Sequence, residues 1–325
     1  LETADNIKSL VESYSFSKYI YNDTRGWFWN RSHALNTGIK RAKGEITVLW
    51  DIDLIVEKDF LEKLSEIDFE KVFTTHNCYY LPKGLDLKNN LKNPKNNFKQ
   101  AYVGLAAVKT EFIQKIKGFD EFYQVWGVED EDVTSRLSES GLIRRKITAD
   151  EITVYHQWHP AQNPGIPDPW YLAMVNHYLS RNNYNANEYG INYSISERPA
   201  LKIFSKNDYE KLKKIDLNLK NKTLIYNDLI KEFHHSRKGD KFYIRFKSSD
   251  YHYNKISSVL IRLTNKVFTL SNINIRLINT HKNDTINLSE NVFAFLKLII
   301  GLGRKNLKDY HVNINKNEIL LIVIN

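Results

Sequence analysis

The first half of the chain alternates segments of helical spacing with short, continuously apolar segments. Apolar side chains in residues 32–42 recur three and four positions apart, which predicts a helix that ends at Gly44. Residues 45–50, Glu-Ile-Thr-Val-Leu-Trp, form a β-type run that predicts a buried parallel strand. Residues 58–67 return to helical spacing. A helix, a strand and a helix in this order predict an α/β fold with a parallel sheet.

The same alternation continues further along the chain. It predicts strands at residues 16–21, 102–108 and 152–155 and helices at residues 5–13, 110–116 and 129–140. Residues 160–169 contain four prolines and predict irregular structure. After about residue 200 the pattern changes to short β-type segments around one helical segment at 290–302. We therefore expect a first domain over residues 1–200 and a smaller α+β domain over residues 201–325.

Charge separates the same two parts of the chain. Residues 201–325 carry 23 Lys and Arg against 11 Asp and Glu, whereas residues 1–200 carry 24 against 27. A basic module attracts anionic partners, such as an acidic polysaccharide or anionic lipid headgroups. A well-solvated surface explains the charge equally well. The sequence has no zinc-finger, RNA-recognition or helix-turn-helix signature, so we expect no nucleic-acid partner.

Composition narrows the compartment and the class of protein. Cys78 is the single cysteine, which excludes an intrachain disulfide and a cysteine-based zinc site. The longest apolar run, residues 292–302, is too short to span a bilayer. We expect a cytoplasmic protein, with a peripheral position on the inner face of the cell membrane as an option for the basic domain.

Asp51 and Asp53 directly follow the predicted strand at residues 45–50. Ligands of α/β folds bind in the crevice at the carboxyl ends of such strands. Carboxylate oxygens suit Mn²⁺ or Mg²⁺, and these ions bind diphosphates and neutralise a leaving nucleoside diphosphate. An Asp-x-Asp sequence alone often arises by chance or as a cap, so its place after a buried strand is what favours a metal site.

Four consecutive acids at positions 129–132 open the predicted helix at residues 129–140. Negative charge is favourable at a helix N-terminus, but four carboxylates exceed what capping needs. Trp126 and Gly127 precede them and add an aromatic surface for a sugar ring, with a glycine that lets a ligand approach the backbone closely. The segment predicts a catalytic and sugar-binding site.

His156 and His159 follow the predicted strand at residues 152–155. Imidazole is an apt third protein ligand for Mn²⁺, and we favour His156 over His159 while the choice stays open. Residues 157–170 are a candidate lid over a bound donor.

Arg31 and His33 lie near the start of the predicted helix at residues 32–42, where basic groups suit phosphate oxygens. We predict that Arg31, His33, Asn36 and Asp51 bind the donor. The structural alternative is a set of exposed polar residues at a helix start.

Three segments in this order, residues 34–53, 118–137 and 155–157, resemble the family 2 glycosyltransferases of the GT-A fold. Bacterial chondroitin polymerase-type domains and the C-terminal half of the β-1,4-galactosyltransferases are the most similar members. The resemblance covers about residues 5–185. It implies an inverting, metal-dependent enzyme that transfers a sugar, with galactose or N-acetylgalactosamine favoured, from a UDP-sugar to an oligo- or polysaccharide acceptor. It also favours a role in bacterial surface polysaccharide synthesis, with an acidic or lipid-linked acceptor as options.

The resemblance implies a role for each site residue. Asp53 would bind Mn²⁺ or Mg²⁺, His156 would complete the metal site, and Asp51 would lie near the donor ribose or the waters of the metal. Asp130 would be the catalytic base, and Glu129 would contact the acceptor or donor sugar. Trp126, with Gly127 beside it, would line the sugar site.

The chain departs from the family pattern at two places. The family often carries glycine where Val128 stands. It also begins with a strand, a helix and a strand that bind the nucleotide base, and we expect these elements to precede the present chain.

Two other functions share some of these features. A degenerate transferase fold that only binds carbohydrate would not need Asp53, Asp130 and His156 together. A sugar nucleotidyltransferase would need an N-terminal glycine-rich, basic loop, which the sequence lacks.

Overall fold

The structure is a computed structural model that consists of two compact units. It describes residues 6–85, 99–124, 127–160, 174–175, 177–180, 185, 189–190, 200, 212–218, 239–247, 309–314 and 318–324. Unit 1 comprises Leu1–Thr24, Phe28–Ile166 and Tyr171–Ile195. Unit 2 comprises Arg25–Trp27, Pro167–Trp170 and Ser196–Asn325. The main break, at Ser196, lies near the boundary that we predicted at residue 200.

Unit 1 combines helices with one mixed sheet. Its helices are α1 (Asn6–Glu12), α2 (Arg31–Ile39), α3 (Phe60–Ser65), α4 (Thr110–Lys115) and α5 (Glu129–Glu139). Its strands are β1 (Ile46–Val48), β2 (Leu54–Val56), β3 (Val72–Tyr80), β4 (Gln100–Lys109), β5 (Ile143–Ile147) and β6 (Val154–His156). Among the described residues, no helix has the length and apolar character needed to cross a membrane.

The sheet of unit 1 has the strand order β1-β4-β3-β6-β2, with β5 beside β3. Strand β3 pairs in parallel with β5 and β6, and the remaining pairs are antiparallel. The prediction of an α/β fold is therefore confirmed. The prediction of a parallel strand at residues 45–50 is wrong, because β1 pairs antiparallel with β4 and Ile46 lies opposite Lys109. A hydrogen bond between the hydroxyls of Thr47 and Thr110 (2.8 Å) reinforces this pairing.

The strand predicted at residues 16–21 is also absent from the structure, which is irregular there. Ser17 donates its hydroxyl and its backbone N–H to the carbonyl of Tyr14. Phe16, 88% exposed, packs against the ring of Tyr14. Local side-chain and turn contacts thus replace the pairing that the apolar pattern predicted.

Apolar layers cover both faces of the sheet. Alternate residues of a strand point to opposite faces, so Phe73 and Val72 separate, as do Val108 and Ala107. One layer joins α2, α4 and α5 to the sheet and contains Ile39, Phe73, Val108, Ile113, Phe119, Val133 and Leu137. The opposite layer contains α3 through Phe60 and Leu64, together with Cys78, Ala107, Ile147 and Val154. This sandwich fixes the ends of the strands from which the polar side chains project.

Unit 2 contains, among its described residues, a four-stranded sheet. The strands are β7 (Lys213–Asn218), β8 (Lys241–Lys247), β9 (Asp309–Ile314) and β10 (Glu318–Ile324), in the order β7-β8-β10-β9. Trp27 donates its indole N–H to Asp309 (3.0 Å) and stacks on Tyr310, which ties Arg25–Trp27 to β9. The helix predicted at residues 290–302 lies outside the described residues, so the α part of this α+β domain stays a prediction.

Candidate active site

The turn at residues 51–53 connects β1 to β2 and sends its two carboxylates to different neighbours. The indole of Trp50 donates to the carbonyl of Leu54 (3.1 Å), and the N–H of Leu54 donates to the carbonyl of Asp51 (3.1 Å). Between the two acids, Ile52 is 98% exposed. The turn is therefore held tightly by its backbone while its acidic side chains face the protein.

Strand pairing brings Asp53 next to the histidines. Leu54 of β2 lies opposite His156 of β6, and the N–H of Gln157 donates to the carbonyl of Asp53 (2.8 Å). As a result, Nε2 of His156 lies 3.5 Å from Oδ2 of Asp53, and Nε2 of His159 lies 3.3 Å from the same oxygen. Both candidate histidines contact Asp53, so the geometry does not separate them.

The three side chains fit a divalent cation. One ligand atom from each of Asp53, His156 and His159 lies within 4.8 Å of the others. Oδ1 of Asp53 and Nδ1 of His156 are buried and have no hydrogen-bond partner within the described part of the chain. Buried polar atoms are almost always bonded, so an orphaned carboxylate oxygen beside imidazoles indicates a place for an ion. One carboxylate and two imidazoles suit Mn²⁺ and related ions.

Tyr80 orients one of these imidazoles. Its ring stacks on His156 with centroids 4.3 Å apart and planes 11° apart, and the N–H of Leu81 donates to the carbonyl of His156 (3.0 Å). Tyr80 is not among the predicted site residues, because strand β3 is not among the predicted strands. The run of β-branched and aromatic residues from Val72 to Tyr80 was the available signal.

Arg31 connects the acidic turn to the acidic helix. Its guanidinium donates twice to Asp51, from Nε (3.0 Å) and from Nη2 (3.1 Å), and once to Asp130 from Nη1 (3.2 Å). Asp51 is two residues from Asp53, so the candidate cation site and Asp130 lie at one end of the sheet. The structure thus brings together four residues that the sequence selected separately: Arg31, Asp51, Asp53 and Asp130.

Two family models match segments of unit 1. Residues 2–111 match the family model described as glycosyl transferase family 2, and residues 83–159 match the model described as N-terminal domain of galactosyltransferase. Unit 1 is therefore similar to the family 2 glycosyltransferases. The match to this family model and the mixed α/β sheet confirm the predicted GT-A fold for this unit.

Similar proteins include several β-1,4-galactosyltransferases. β-1,4-Galactosyltransferase 4 of Mus musculus is 26% identical over 130 residues, which are 39% of this chain and 34% of that protein. β-1,4-Galactosyltransferase 1 of Bos taurus is 24% identical over 135 residues, 40% of this chain and 30% of that protein. The chain therefore spans about a third of the length of these relatives.

Among solved structures, GalNAc-T7 with UDP, GalNAc and Mn²⁺ aligns over 55% of this chain and 42% of its own, with a TM-score of 0.38 and 16% identity. The catalytic domain of Drosophila β1,4-galactosyltransferase 7 in complex with xylobiose aligns over 43% of this chain and 56% of its own, with a TM-score of 0.27 and 19% identity. With scores this low, the assignment depends on the sequence matches.

The acids that open α5 have different environments. Glu129 is buried, and burial followed by the charge of Asp130 raises its pKa. Asp132 is also buried, but it accepts hydrogen bonds from Arg136 (2.8 Å) and Tyr123 (3.3 Å), which gives it a structural role. Glu131 is exposed. Four acids in a row therefore do not form one functional group.

The pKa of Asp130 reflects both its burial and its contact with Arg31. Burial raises the pKa of its carboxyl, and the positive charge and hydrogen bond of Arg31 oppose that rise. For Arg31, burial lowers the pKa, but the charges of Asp130 and Asp51 outweigh burial and raise it. A carboxylate with a raised pKa takes a proton more readily from a hydroxyl, which suits the predicted base.

The segment before α5 has an unusual backbone. Gly127 has φ 104° and Val128 has φ 71°, both in the left-handed region. A β-branched residue rarely adopts this conformation. Trp126 lies outside the described residues, so the sugar-binding role predicted for it and for Gly127 stays a prediction.

His33 and Asn36 lie in a different environment from Arg31. Successive residues of a helix are about 100° apart, so Arg31 and His33 point to nearly opposite sides of α2. Nδ1 of His33 lies 2.9 Å from Oε2 of Glu121, and Asn36 donates to Oε1 of Glu121 (2.9 Å) and to the carbonyl of Phe119 (2.7 Å). These contacts join α2 to residues 119–121. Donor binding by His33 and Asn36 stays a prediction that no contact here supports.

Proposed function

We propose that this protein is an inverting, metal-dependent glycosyltransferase that moves a hexose from a UDP-sugar to a saccharide acceptor. One observation supports the proposal most strongly. Asp53, His156 and His159, which could bind a cation together, lie at the same end of unit 1 as Asp130. Arg31 joins the two parts through Asp51. Because the chain spans only part of its relatives, donor and acceptor are proposals as well.

The cation would lie between the carboxylate of Asp53 and the two imidazoles. Such an ion neutralises the charge that builds on a departing diphosphate. The triad would hold such an ion in place because β2 and β6 are hydrogen bonded beside it, and Tyr80 limits rotation of the His156 ring. Carboxylate and imidazole ligands favour Mn²⁺, with Mg²⁺ as the second option.

Asp130 would accept the proton of the acceptor hydroxyl as that oxygen attacks the anomeric carbon. Its partial burial, with the side chain 31% exposed, keeps the carboxylate in reach of a substrate and away from bulk water. Glu129 is adjacent and buried, and it would bind a sugar hydroxyl beside the reacting centre. Direct attack on the face opposite the leaving diphosphate inverts the configuration.

Galactose and N-acetylgalactosamine are the favoured sugars, and an acceptor in bacterial surface polysaccharide synthesis is the favoured context. The support for the sugar is the similarity to galactosyltransferases. The support for an acidic or lipid-linked acceptor is the excess of Lys and Arg in residues 201–325. The contact of this basic region with a membrane surface is part of the same proposal.

The test is hydrolysis and transfer with purified protein. UDP-Gal, UDP-GalNAc and UDP-Glc are each incubated with Mn²⁺, with Mg²⁺ and with EDTA, and release of UDP is measured. We expect turnover with one donor that requires the cation. Asp130→Asn should lower kcat about a thousandfold, within the usual contribution of a general base.

The matched control is Glu131→Gln, which removes the exposed acid next to Asp130 and should leave kcat unchanged. Full turnover in the Asp130→Asn variant would refute the assignment of the base. Binding of a saccharide by the wild-type protein without turnover of any donor would favour the carbohydrate-binding alternative.

A further inference from the structure

Gly104 lies in β4, directly beneath the carboxylate of Asp130. A Cβ atom on Gly104 would stand closer than 3.0 Å to Cγ and to both carboxylate oxygens of Asp130, a separation that real Cβ atoms do not show. The backbone of Gly104 is not in the left-handed region, so its conformation alone would also allow a residue with a side chain. At this position only glycine leaves room for the carboxylate of Asp130.

The pairing of β4 with β3 is irregular at the same point. Thr75 lies opposite Leu105 and His76 lies opposite Val103, so the register skips Gly104, as it also skips Ala106 one step earlier. A bulge of this kind bends a strand locally and is frequent beside active sites, where it changes the direction of a side chain or makes room for one. The bulge and the missing Cβ are independent observations that concern one residue.

Arg31 limits Asp130 from another direction. Its Nη1 donates to Oδ1 of Asp130 (3.2 Å), while Nε and Nη2 bind both oxygens of Asp51. A planar guanidinium that is bound at two sites has little freedom to turn. The carboxylate of Asp130 thus lies between a backbone surface and a fixed cation.

We propose that Gly104 and Arg31 are positioning residues that form a slot for the carboxylate of Asp130. The slot sets the place of the proton acceptor relative to Asp51 and Asp53. This inference depends on the proposed function for its kinetic consequences, because they follow only if Asp130 is the base. Its structural content does not depend on the reaction.

Alanine at position 104 would displace the carboxylate without preventing folding. Asp130 has a short side chain that can rotate about its Cα–Cβ bond, so its end moves before the strand does. The displaced group then loses the hydrogen bond from Arg31. A misplacement of about 1 Å can lower a rate about a hundredfold.

The kinetic test compares Gly104→Ala with the wild-type protein in the cation-dependent assay. We expect kcat to fall about a hundredfold, with KM for the UDP-sugar and the affinity for Mn²⁺ unchanged. The matched control is Gly38→Ala in α2, where an added Cβ meets no atom within 4 Å. That variant should retain the wild-type kcat.

The decisive test repeats the substitution in an Asp130→Ala background. If Gly104 acts only through Asp130, Gly104→Ala lowers kcat no further there. Thermal unfolding gives a second measurement that needs no activity. Gly104→Ala should lower Tm in the wild-type background and leave Tm unchanged when the Asp130 carboxylate is absent.

The two kinds of failure can be told apart. Equal losses of kcat or of Tm in both backgrounds would overturn the slot, since the glycine would then act on something other than Asp130. Coupled changes of Tm in a protein without any transfer activity would retain the slot and refute the proposed function.

Discussion

Two polar clusters in unit 1 contain similar residue types and have opposite properties. The first is the cation cluster, Asp53, His156 and His159, where two buried atoms lack a hydrogen-bond partner among the described residues. The second, which we call the Glu121 cluster, is formed by His33, Asn36 and Glu121 and is joined by short hydrogen bonds. Each contains imidazole and carboxylate groups, so the residue types alone do not tell them apart.

The two clusters differ in their hydrogen bonding and in their exposure to solvent. His159 is about half exposed, whereas His33 and Asn36 are buried. Asn36 accepts from the N–H of Phe119 (2.8 Å) and donates to the carbonyl of the same residue. A ligand at the Glu121 cluster would have to break existing bonds, whereas a cation at the first cluster would supply missing ones. The comparison indicates that unmet bonding capacity together with access is what distinguishes a binding site.

The largest expected effect is the loss of Mn²⁺ affinity in the Asp53→Ala variant. Removal of the one carboxylate that both imidazoles contact should weaken Mn²⁺ binding about a thousandfold, more than the 10–100-fold typical of residues outside the coordination shell. Titration calorimetry with Mn²⁺ alone measures this without any substrate. Asp59→Ala, in an exposed ion pair with Lys63, is the control. Unchanged affinity in Asp53→Ala would remove the basis of the cation site.

The opposite result is expected at the Glu121 cluster. Asn36→Ala should lower the free energy of unfolding by about 3 kcal/mol, because it removes three hydrogen bonds and leaves the buried N–H of Phe119 without its partner. Urea denaturation measures the loss, and Mn²⁺ affinity should stay at the wild-type value. A drop in Mn²⁺ affinity without a loss of stability would mean that the comparison assigns the clusters wrongly.

His76 adds a third case to the comparison, because its ring nitrogens lack hydrogen-bond partners among the described residues and the side chain is closed to solvent. It is 2% exposed, and neither ring nitrogen has a hydrogen-bond partner within the described residues. Burial outweighs the charge of Glu151 and lowers the pKa of His76 to about 4. A buried imidazole such as His76, which lacks both solvent access and hydrogen-bond partners in the described part of the chain, is thus a titratable core residue and not a binding site.

The pH dependence of stability tests this reading of His76. The unfolded chain takes up the proton first, because its histidine keeps a pKa of about 6.5. Stability should therefore fall as the pH drops, by about 2 kcal/mol between pH 7 and pH 5. His76→Leu should reduce this dependence by that amount in urea titrations at several pH values. A variant with the wild-type pH dependence would show that His76 is not the group responsible.

The smallest expected effect is at Val128. Its φ of 71° is unfavourable for a β-branched residue, and glycine adopts this region freely. Val128→Gly should raise the free energy of unfolding by about 1 kcal/mol, the lower end of the usual cost of such a conformation. Thermal unfolding measures the change. A loss of stability would mean that the contacts of the valine side chain exceed the backbone strain.

Local patterns were enough to predict several parts of the site. The Asp-x-Asp turn after a β-type run and the acids in the first turn of α5 were visible because the signal lies within a few residues. The contact between Asp53 and His156 was not predictable in this way, since it depends on the antiparallel pairing of β2 with β6. Strand β2 has only three residues, too few for a periodic pattern to appear.

The role of Arg31 needed the structure for a related reason. The sequence placed it at a helix start and predicted phosphate binding, but its partners Asp51 and Asp130 are 20 and 99 residues away. Gly104 had a weak signal, an isolated glycine within a predicted strand, which often marks a bulge or a close approach. Which side chain fills that space became visible only when α5 was packed on β4.

The turn at residues 51–53 has a consequence for how this chain tolerates changes in length. Its first acid is bound to the guanidinium that holds Asp130, its last acid faces the imidazoles, and Ile52 between them points into solvent. Substitution of Ile52 therefore alters neither contact. Insertion of a single residue there would move the acids apart, so that the proposed proton acceptor and the proposed cation site would no longer face one substrate even though each half kept its own bonds.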